Sequence, residues 1–416
     1  MKFSQLFTKT SKTAVSDADS INAKLLTQAG FITKQMAGVY VFLPLGLRVL
    51  NKIENIIREE MNAVGGNEVL MPTLTLEENY EITGRDKSLA DVFYRTSGAG
   101  ESKIVLNPTH EEIVTPLVQK FVFSYQDLPK SVYQFQTKFR NEARAKSGLL
   151  RGREFRMKDM YSFHTDEKDL DRYYEEVTEA YFKVYDRLGL GNGRTILTYA
   201  SGGAFSKYSH EYQTLSPIGE DTIYICEKCQ VAVNKEIADE QNVCPKCGNK
   251  ELREEKAIEV GNIFKLMDKF TGPFKFFYQN EKGEQQVAQM GCYGIGPSRI
   301  MGTIVEVYND EKGIVWPESV APYKVHLMSL GKEEESKKEA EKLYQELLKK
   351  NIEVLFDDRE NASAGEKLAD ADLIGLPYRV VVSKKTMEKG GVELKMRNSE
   401  DSKIVTVEEL VKRVLK

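Results

Sequence analysis

Two stretches of alternating apolar and polar residues lie close together near the middle of the chain. One face of SVYQFQTKF (131–139) is aromatic and the other carries Gln and Lys, and EFRMKDMYSFH (154–164) also alternates. A period of two is typical of half-buried strands. The segment ARAKSGLLRGR between them lets the chain turn back. The pattern therefore predicts an antiparallel hairpin.

Helical spacing appears earlier in the chain, and a different alternation appears at its end. Apolar residues in GLRVLNKIENIIREEMNAVGGNEVLMPTL (46–74) recur as Leu50, Ile53, Ile57 and Met61, which predicts a long helix before a strand that ends at Pro72. After WPESVAPY (316–323), YKVHLMSL, IEVLF and YRVVVS are predicted strands and EAEKLYQELLKK is a predicted amphipathic helix. This order predicts a separate C-terminal α/β domain.

Composition limits the class of protein. A chain of 416 residues favours two or three domains, and 41% apolar with 29% charged residues is an ordinary globular balance. A net charge of −4 excludes a uniformly basic protein but allows local basic patches. Because no signal-peptide pattern and no run long enough for a membrane span is present, we expect a cytoplasmic protein.

The predicted hairpin is strongly basic. Eight Lys or Arg and only two acids, Glu142 and Glu154, lie between Lys138 and Lys158. Such a run is either a solvated edge or a phosphate-binding surface. Asp159 favours a site, because a lone carboxylate on an apolar face requires a cationic partner, for which a ligand ammonium is one candidate.

Four of the five cysteines form two Cys-x-x-Cys pairs, Cys226/Cys229 and Cys244/Cys247. Two such turns can supply a tetrahedral set of thiolates, and a closed set of four makes zinc structural rather than catalytic. Four unrelated core cysteines are the alternative. The spacing favours structural Zn²⁺.

The segment GCYGIGPSRIMGTIVEV predicts a strand, a glycine turn and a helix that starts near Pro297. Gly294 and Gly296 allow close backbone approach, and Arg299 in the first helical turn can contact a phosphate. Glycines that serve only the turn are an equally good interpretation of this segment alone.

Together these segments resemble a known enzyme family. FRNE (139–142), RGREF (151–155) and GIGPSR (294–299) are similar to motifs two and three of class II aminoacyl-tRNA synthetases, and residues 46–74 resemble motif one. NPTHEE (107–112), KDMYSFH (158–164) and EVGNIF (259–264) resemble the bacterial-type prolyl-tRNA synthetases. The resemblance implies a homodimer with an α/β fold (an α+β catalytic core), in which a mixed, mostly antiparallel catalytic sheet carries helices and precedes a C-terminal anticodon-binding domain.

The implied reaction is ATP-dependent ligation of L-proline to tRNA(Pro) through a prolyl-adenylate, with Mg²⁺ on the phosphates. For ATP, the resemblance implies Arg140 at the α-phosphate, Arg151 and Arg299 at the outer phosphates, Phe155 under adenine, Glu142 near the adenine amino group and Glu259 at Mg²⁺.

For proline, the resemblance implies Thr109 and Glu111 at the imino group, Asp159 as a further carboxylate, Met157, Tyr161, Phe163 and Cys292 as walls, and His210 in a stretch like the family's S-H-E-F. Arg144 is the implied contact to the tRNA acceptor stem. Two departures stand out: Phe205-Ser206 replaces a usual Gly pair, and Asn262 replaces a usual His.

The implied domains are residues 1–223 (first part of the catalytic domain), 224–256 (zinc-knuckle insertion), 257–317 (second catalytic part) and 318–416 (anticodon binding). Only 47 residues separate Glu211 from Glu259, too few for the large editing domain of many bacterial relatives. We therefore expect no hydrolysis of alanyl-tRNA by this chain, and we expect zinc to tie off the shortened crossover. Whether the knuckle contacts tRNA stays open.

Residues 323–416 have balanced charge, so tRNA binding there would require local groups: Lys384, Lys385, Lys395 and Arg397. A domain that only packs or dimerises is the alternative. For the whole chain, the alternatives are another class II synthetase, a non-catalytic synthetase-like tRNA-binding regulator and a zinc-ribbon nucleic-acid module.

Overall fold

The computed structural model describes residues 1–11, 13, 18–331 and 333–415. Among these residues, no helix has the length and apolar character needed to cross a membrane. The helices are α1 (Ile21–Gln28), α2 (Pro44–Ala63), α3 (Glu77–Thr83), α4 (Arg85–Ser88), α5 (Glu111–Gln119), α6 (Glu167–Arg187), α7 (Pro297–Val307), α8 (Glu334–Lys349), α9 (Ala364–Ile374), α10 (Lys384–Glu388) and α11 (Val407–Val414).

The strands are β1 (Ile32–Met36), β2 (Val39–Phe42), β3 (Asn67–Glu68), β4 (Leu74–Leu76), β5 (Tyr94–Ser97), β6 (Lys103–Leu106), β7 (Lys130–Phe139), β8 (Glu154–His164), β9 (Thr195–Ser201), β10 (Tyr208–Leu215), β11 (Asp221–Cys226), β12 (Val231–Asn234), β13 (Arg253–Met267), β14 (Phe277–Gln279), β15 (Gln285–Val287), β16 (Gln289–Ile295), β17 (Asn309–Asp310), β18 (Gly313–Ile314), β19 (Val325–Ser329), β20 (Val354–Asp357), β21 (Tyr378–Val382), β22 (Val392–Met396) and β23 (Ser402–Val405).

Two compact units divide the chain. One contains Met1–Gln35, Tyr40–Lys52 and Ile304–Lys416, and the other contains Met36–Val39 and Ile53–Thr303. The first unit includes the N-terminal segment, a grouping that the sequence does not reveal. There the Met1 ammonium donates to the Val354 carbonyl oxygen at 3.0 Å, and Ser4 Oγ donates to Asp358 at 2.6 Å.

A nine-stranded sheet forms the centre of the second unit, in the order β10-β9-β12-β11-β13-β16-β8-β7-β3. All its pairings are antiparallel except β9–β12 and β3–β7. This confirms the expected mixed, mostly antiparallel sheet. The predicted hairpin is β7 and β8, with Gln134 opposite Asp159.

Both faces of β8 are occupied, one by a helix and one by a cavity. The helix is α6, whose buried residues Leu170, Tyr174, Val177, Tyr181 and Val184 follow helical spacing. Even-numbered residues of β8 face α6, as the 2.6 Å bond from Lys158 Nζ to the Tyr181 hydroxyl shows. Odd-numbered residues therefore point to the opposite face.

The segment with the four cysteines is continuous with this sheet. β11 pairs with β13 and with β12, and β12 also pairs with β9. Residues 224–256 therefore supply strands to the sheet in addition to the cysteine turns.

The first unit contains the predicted C-terminal α/β arrangement. Its five-stranded sheet has the order β20-β19-β21-β22-β23, with β19 parallel to both β20 and β21. The apolar face of α8 (Ala340, Leu343, Tyr344 and Leu347) belongs to the core under this sheet.

Candidate active site

A cavity of about 290 Å³ opens against the odd-numbered face of β8. It contains the ends of several elements of the second unit: the turn before α5, the loops around β8, the middle of β13 and the start of α7. Twelve predicted site residues line it: Thr109, Glu111, Arg140, Glu142, Arg151, Phe155, Met157, Asp159, Tyr161, Glu259, Cys292 and Arg299. Gly294 and Gly296 also lie on its wall.

Arg140 and Arg299 supply positive charge to one end of the cavity. Arg299 donates to the Glu259 carboxylate and to the Glu259 carbonyl oxygen, both at 2.9 Å, and to the Leu150 carbonyl oxygen at 2.8 Å. Burial and the nearby Arg299 charge lower the pKa of Arg140. The Arg140 guanidinium lies 5.2 Å from the centre of the Phe155 ring. Two fixed guanidinium groups suit an anionic ligand with several oxygens.

Glu142 and Arg151 form the next part of the wall. Arg151 donates to Glu142 through two nitrogens, at 2.9 and 3.0 Å, and Arg153 donates to the Glu142 carbonyl oxygen at 2.9 Å. These bonds fix the loop between β7 and β8.

Glu111 is the buried anion at the other end. It accepts from Thr109 Oγ1 at 2.5 Å and from Arg85 at 2.9 Å, while Cys292 Sγ lies 3.5 Å from its second oxygen. Burial opposes ionisation, but Arg85 and Thr109 hold the pKa of Glu111 below its usual value. Burial raises the pKa of the adjacent Glu112 to about 7. A fixed carboxylate beside an apolar wall suits a cationic amino or imino group.

Asp159 has its cationic partner within the chain. Lys138 Nζ lies 2.8 Å from one carboxylate oxygen, and Tyr161 and Gln134 donate to the other at 2.9 and 3.0 Å. The cationic partner of Asp159 is thus the Lys138 ammonium of the protein itself and not a ligand ammonium. Lys138 and Lys158 are fully buried, so neither is a free phosphate-binding group of the basic hairpin. His110 completes this network by contacting Lys138 and donating to the Pro72 carbonyl oxygen.

Three of the residues predicted for proline or tRNA do not line the cavity. Phe163 is buried in an apolar cluster, with its ring centre 5.4 Å from that of Phe276. His210 faces a second cavity, where its Nδ1 lies 2.7 Å from the Tyr174 hydroxyl oxygen. Arg144 lies exposed on the loop between β7 and β8. Direct contact of Phe163 or His210 with a ligand in the main cavity is therefore not supported by this geometry.

Two carboxylates and an amide form a group that sequence reasoning did not identify. Asn262 donates to Glu259 at 3.2 Å and to Glu211 at 3.5 Å, and Glu211 also accepts from Gln213 and Asn234. Burial and the neighbouring Glu259 raise the pKa of Glu211 to about 8. Asn262 thus joins two acids, which accounts for an amide at this position.

The four paired cysteines converge in space. Their sulfurs all lie within 4.8 Å of one another, and Cys226 and Cys247 are 3.8 Å apart. Tetrahedral coordination with Zn–S bonds of about 2.3 Å places sulfurs about 3.8 Å apart, so the set fits zinc. Burial opposes ionisation of Cys226, but backbone N–H donors of Cys229 and Lys228 help lower its pKa to about 6.

Arg397 and Lys395, two of the basic residues considered for tRNA, have acidic neighbours within the first unit. Arg397 is almost fully buried and binds both oxygens of Asp310 at 2.6 and 2.7 Å, and Lys395 lies 3.6 Å from Glu400. Lys384 and Lys385 are exposed. Arg397 is thus structural, and the exposed pair remains available.

Comparison with known proteins places both units in one family. Residues 94–308 match the class II tRNA synthetase core domain (G, H, P, S and T), and residues 324–416 match the anticodon-binding domain. The chain is 39% identical over 431 positions to the proline–tRNA ligase of Anaplasma phagocytophilum, covering 100% of both chains. It is 39% identical to that of Zymomonas mobilis, covering 98% of this chain and 97% of the relative.

A longer relative and a solved structure extend the comparison. The Dehalococcoides mccartyi proline–tRNA ligase is 31% identical over 564 positions, although this chain has 416 residues, so the relative contains residues that this chain lacks. The Giardia lamblia prolyl-tRNA synthetase, solved with prolyl-adenylate, has a TM-score of 0.78 at 21% identity. The matched region covers 93% of this chain and 74% of the Giardia lamblia chain. This structural likeness supports the fold alone.

Proposed function

The chain belongs to the proline–tRNA ligases of class II, and we propose that it activates L-proline with ATP and transfers it to tRNA(Pro). The main support for this proposal is the content of one cavity. At one end, the buried Glu111 carboxylate lies beside an apolar wall, and at the other end lie the guanidinium groups of Arg140 and Arg299. This cavity offers separate environments for an imino acid and for phosphates.

The roles follow from the charges. The proline imino group binds Glu111 and Thr109, and its ring lies against Met157, Tyr161 and Cys292. The proline carboxylate attacks the α-phosphorus, pyrophosphate leaves, and a terminal tRNA hydroxyl then attacks the mixed anhydride. Negative charge increases on the phosphate oxygens during the first step, and Arg140 and Arg299 stabilise it. Phe155 packs under the adenine ring. Glu142 lies near the adenine amino group, and Arg151 contacts the outer phosphates of ATP.

Asp159 acts through the proline pocket, because it holds the Tyr161 hydroxyl and is itself neutralised by Lys138. His210 and Phe163 support this pocket from outside. Arg144, on the exposed loop, is positioned for the tRNA acceptor stem. The exposed Lys384 and Lys385 in the anticodon-binding region supply phosphate contacts.

Two metals fit the residues present. Glu259 would hold Mg²⁺, because carboxylate oxygens are its preferred protein ligands. The ion would neutralise charge on the ATP phosphates. Cys226, Cys229, Cys244 and Cys247 would hold one structural Zn²⁺, as supported by their mutual distances.

We also propose the domain division 1–223, 224–256, 257–317 and 318–416, a cytoplasmic location and a homodimer. Reduced thiols, as in the four-cysteine set, are typical of the cytoplasm. For the homodimer, Leu70 and Leu74 of the motif-one region are 77% and 50% exposed, and Leu76 just beyond it is 44% exposed. Large apolar residues exposed this close together in the sequence suit a contact with a second copy.

Amino-acid-dependent exchange of pyrophosphate into ATP tests the activity, run with each of the twenty amino acids. Proline should give the highest kcat/KM. Exchange driven by another amino acid instead of proline would refute the substrate, and absence of exchange with any amino acid would favour the non-catalytic alternative. Charging of tRNA(Pro) transcripts then tests the second step.

A further inference from the structure

The loop between β9 and β10 contributes an aromatic side chain to the cavity. Phe205 lies on the cavity wall, and it also packs against the apolar cluster that contains Tyr161, Phe264 and Cys292. Its ring centre is 4.7 Å from that of Phe264, with the two planes tilted by 35°. Phe205 is therefore on the same side of the cavity as the proposed wall for the proline ring.

The backbone of this loop is anchored. Phe205 N–H donates to the Gly202 carbonyl oxygen at 2.9 Å, and Gly202 N–H donates to that of Lys207 at 3.1 Å. Lys269 Nζ donates to the Ala204 carbonyl oxygen at 2.8 Å. Gly203 has φ of +53°, a conformation that favours glycine. These contacts hold the backbone from which the Phe205 ring projects.

Phe205 is also connected to the carboxylate end of the pocket. The Arg85 guanidinium lies 4.7 Å from the Phe205 ring centre and 5.1 Å from that of Phe270. The same guanidinium donates to Glu111 at 2.9 Å and to Glu112 at 3.1 Å. A cation between two aromatic rings is held by cation–π attraction in addition to its ion pairs. The aromatic wall and the imino-binding carboxylate thus share one buried arginine.

We propose that Phe205 determines amino-acid specificity by closing the apolar wall against the ring of the substrate. The inference rests on the proposed activation of proline. The ring carbons of proline would contact this wall, whereas the single methyl group of alanine would not fill the space. Phe205 therefore favours proline over alanine by apolar contact, and it excludes larger rings by its volume.

Kinetics of Phe205→Ala test this role, by pyrophosphate exchange with proline, with alanine and with piperidine-2-carboxylate, the six-membered ring homologue. Loss of contact equivalent to one or two methylene groups should raise the proline KM by about 10-fold or more. The kcat and the ATP KM should stay within about 2-fold. The kcat/KM for alanine should change little, so the proline-to-alanine ratio should fall, and the six-membered ring should gain activity.

Two further variants distinguish an effect of the shape of the apolar wall from a general loss of folding or activity. Phe205→Leu keeps an apolar wall but removes the aromatic face toward Arg85, so its proline KM should lie between those of the wild type and Phe205→Ala. Phe121→Ala removes a phenylalanine that is 66% exposed in the same unit, and all its parameters should match the wild type.

An unchanged proline-to-alanine ratio in Phe205→Ala, with no gain for the larger ring, would overturn the inference. So would an equal loss for proline and alanine, which indicates general damage. The gain for the larger ring is informative even if Phe205→Ala is less stable, because unfolding cannot create activity. If the wild type itself fails to activate proline, the proposed function fails; if only the ratios are unchanged, this inference alone fails.

Discussion

Arg140 and Arg299 illustrate, at the scale of single residues, how charge is concentrated in the site. Arg140 is held near a second guanidinium and above the Phe155 ring, although the like charge and burial both lower its pKa. Two cations held together in a cavity repel each other, and a bound anionic ligand would reduce this repulsion. Their contacts therefore favour a phosphate-binding role over a purely structural one.

Replacing either arginine with alanine should lower the rate of proline-dependent pyrophosphate exchange by about 10²- to 10³-fold, because fixed donors at developing charge are lost. Lysine should restore little activity, since one ammonium cannot reproduce the planar fork. Arg172→Ala is the matched control, because Arg172 is exposed on α6 and pairs with the neighbouring acids Asp169 and Glu176. Near-normal exchange by Arg140→Ala or Arg299→Ala would remove that residue from the mechanism.

Glu211 predicts a pH dependence of stability. Its pKa is about 8 in the folded protein, mainly through burial and also through Glu259, and the ordinary value is 4.5. Because the folded state retains the proton, raising the pH from about 5 to 8 should reduce the free energy of unfolding. Glu211→Gln, which cannot ionise, should show a smaller reduction, by about 1 kcal/mol or more.

Urea denaturation at pH 5 and pH 8 in EDTA measures this difference. Glu176→Gln, on the exposed face of α6, is the control and should follow the wild type. Identical pH dependence of Glu211→Gln and the wild type would show that Glu211 is ionised in the folded protein at neutral pH.

Sequence motifs located most of the cavity wall but not its buried supports. Arg140, Glu111 and Arg299 occur in short segments whose residue types suit the chemistry. Arg85 and Lys138, however, act through partners that are distant in the chain, and nothing in the local pattern marks them as buried. Lys138 lies on the polar face of β7, in the alternating pattern that a solvent-exposed lysine would show. In the structure, however, Lys138 is fully buried and pairs with Asp159.

At the scale of elements, the β7–β8 hairpin and the start of α7 near Pro297 are predictable because their signals are local. A period of two defines the strands, and Pro at the first helical position marks α7. The position of the cysteine segment was not predictable in this way. Its strands β11 and β12 pair with β13 and β9, and pairings between distant strands leave no local signature.

The four-cysteine set should bind one zinc ion per chain. Cys229→Ser should remove most of the zinc and lower thermal stability, because the metal ties the turns beside β11 and β12. Cys292→Ser is the matched control: Cys292 is equally a free thiol, but it lies in the main cavity. Metal analysis after dialysis measures the zinc content of both variants. Loss of zinc from Cys292→Ser, or full zinc in Cys229→Ser, would overturn the ligand set.

At the scale of the whole molecule, the exposed leucines Leu70, Leu74 and Leu76 predict association of two chains. Leu70→Asp would place a charge in a contact that excludes water, so it should shift the protein from dimer to monomer in light scattering at micromolar concentration. Ile404→Asp, a change at a 38% exposed isoleucine of β23 in the first unit, should leave the dimer intact. A monomeric wild type would contradict the proposed homodimer.

The short segment between Glu211 and Glu259 leads to a prediction about the accuracy of tRNA charging. Apolar contact discriminates poorly between amino acids that differ by a methylene group, by about 10–200-fold per group, so a proline pocket tolerates some alanine. Enzymes with this limit commonly add a second hydrolytic site. Here the segment between Glu211 and Glu259 is occupied by sheet strands and the cysteine turns. We therefore expect that alanyl-tRNA(Pro) leaves this enzyme uncorrected.

Preformed alanyl-tRNA(Pro) incubated with the pure protein tests this expectation, with loss of the ester followed against a no-enzyme reaction. The two rates should agree. Arg140→Ala serves as the matched control, because it should strongly lower activation without touching any separate hydrolytic site. Hydrolysis well above the no-enzyme rate, equal in the wild type and in Arg140→Ala, would demonstrate an editing site elsewhere in the chain.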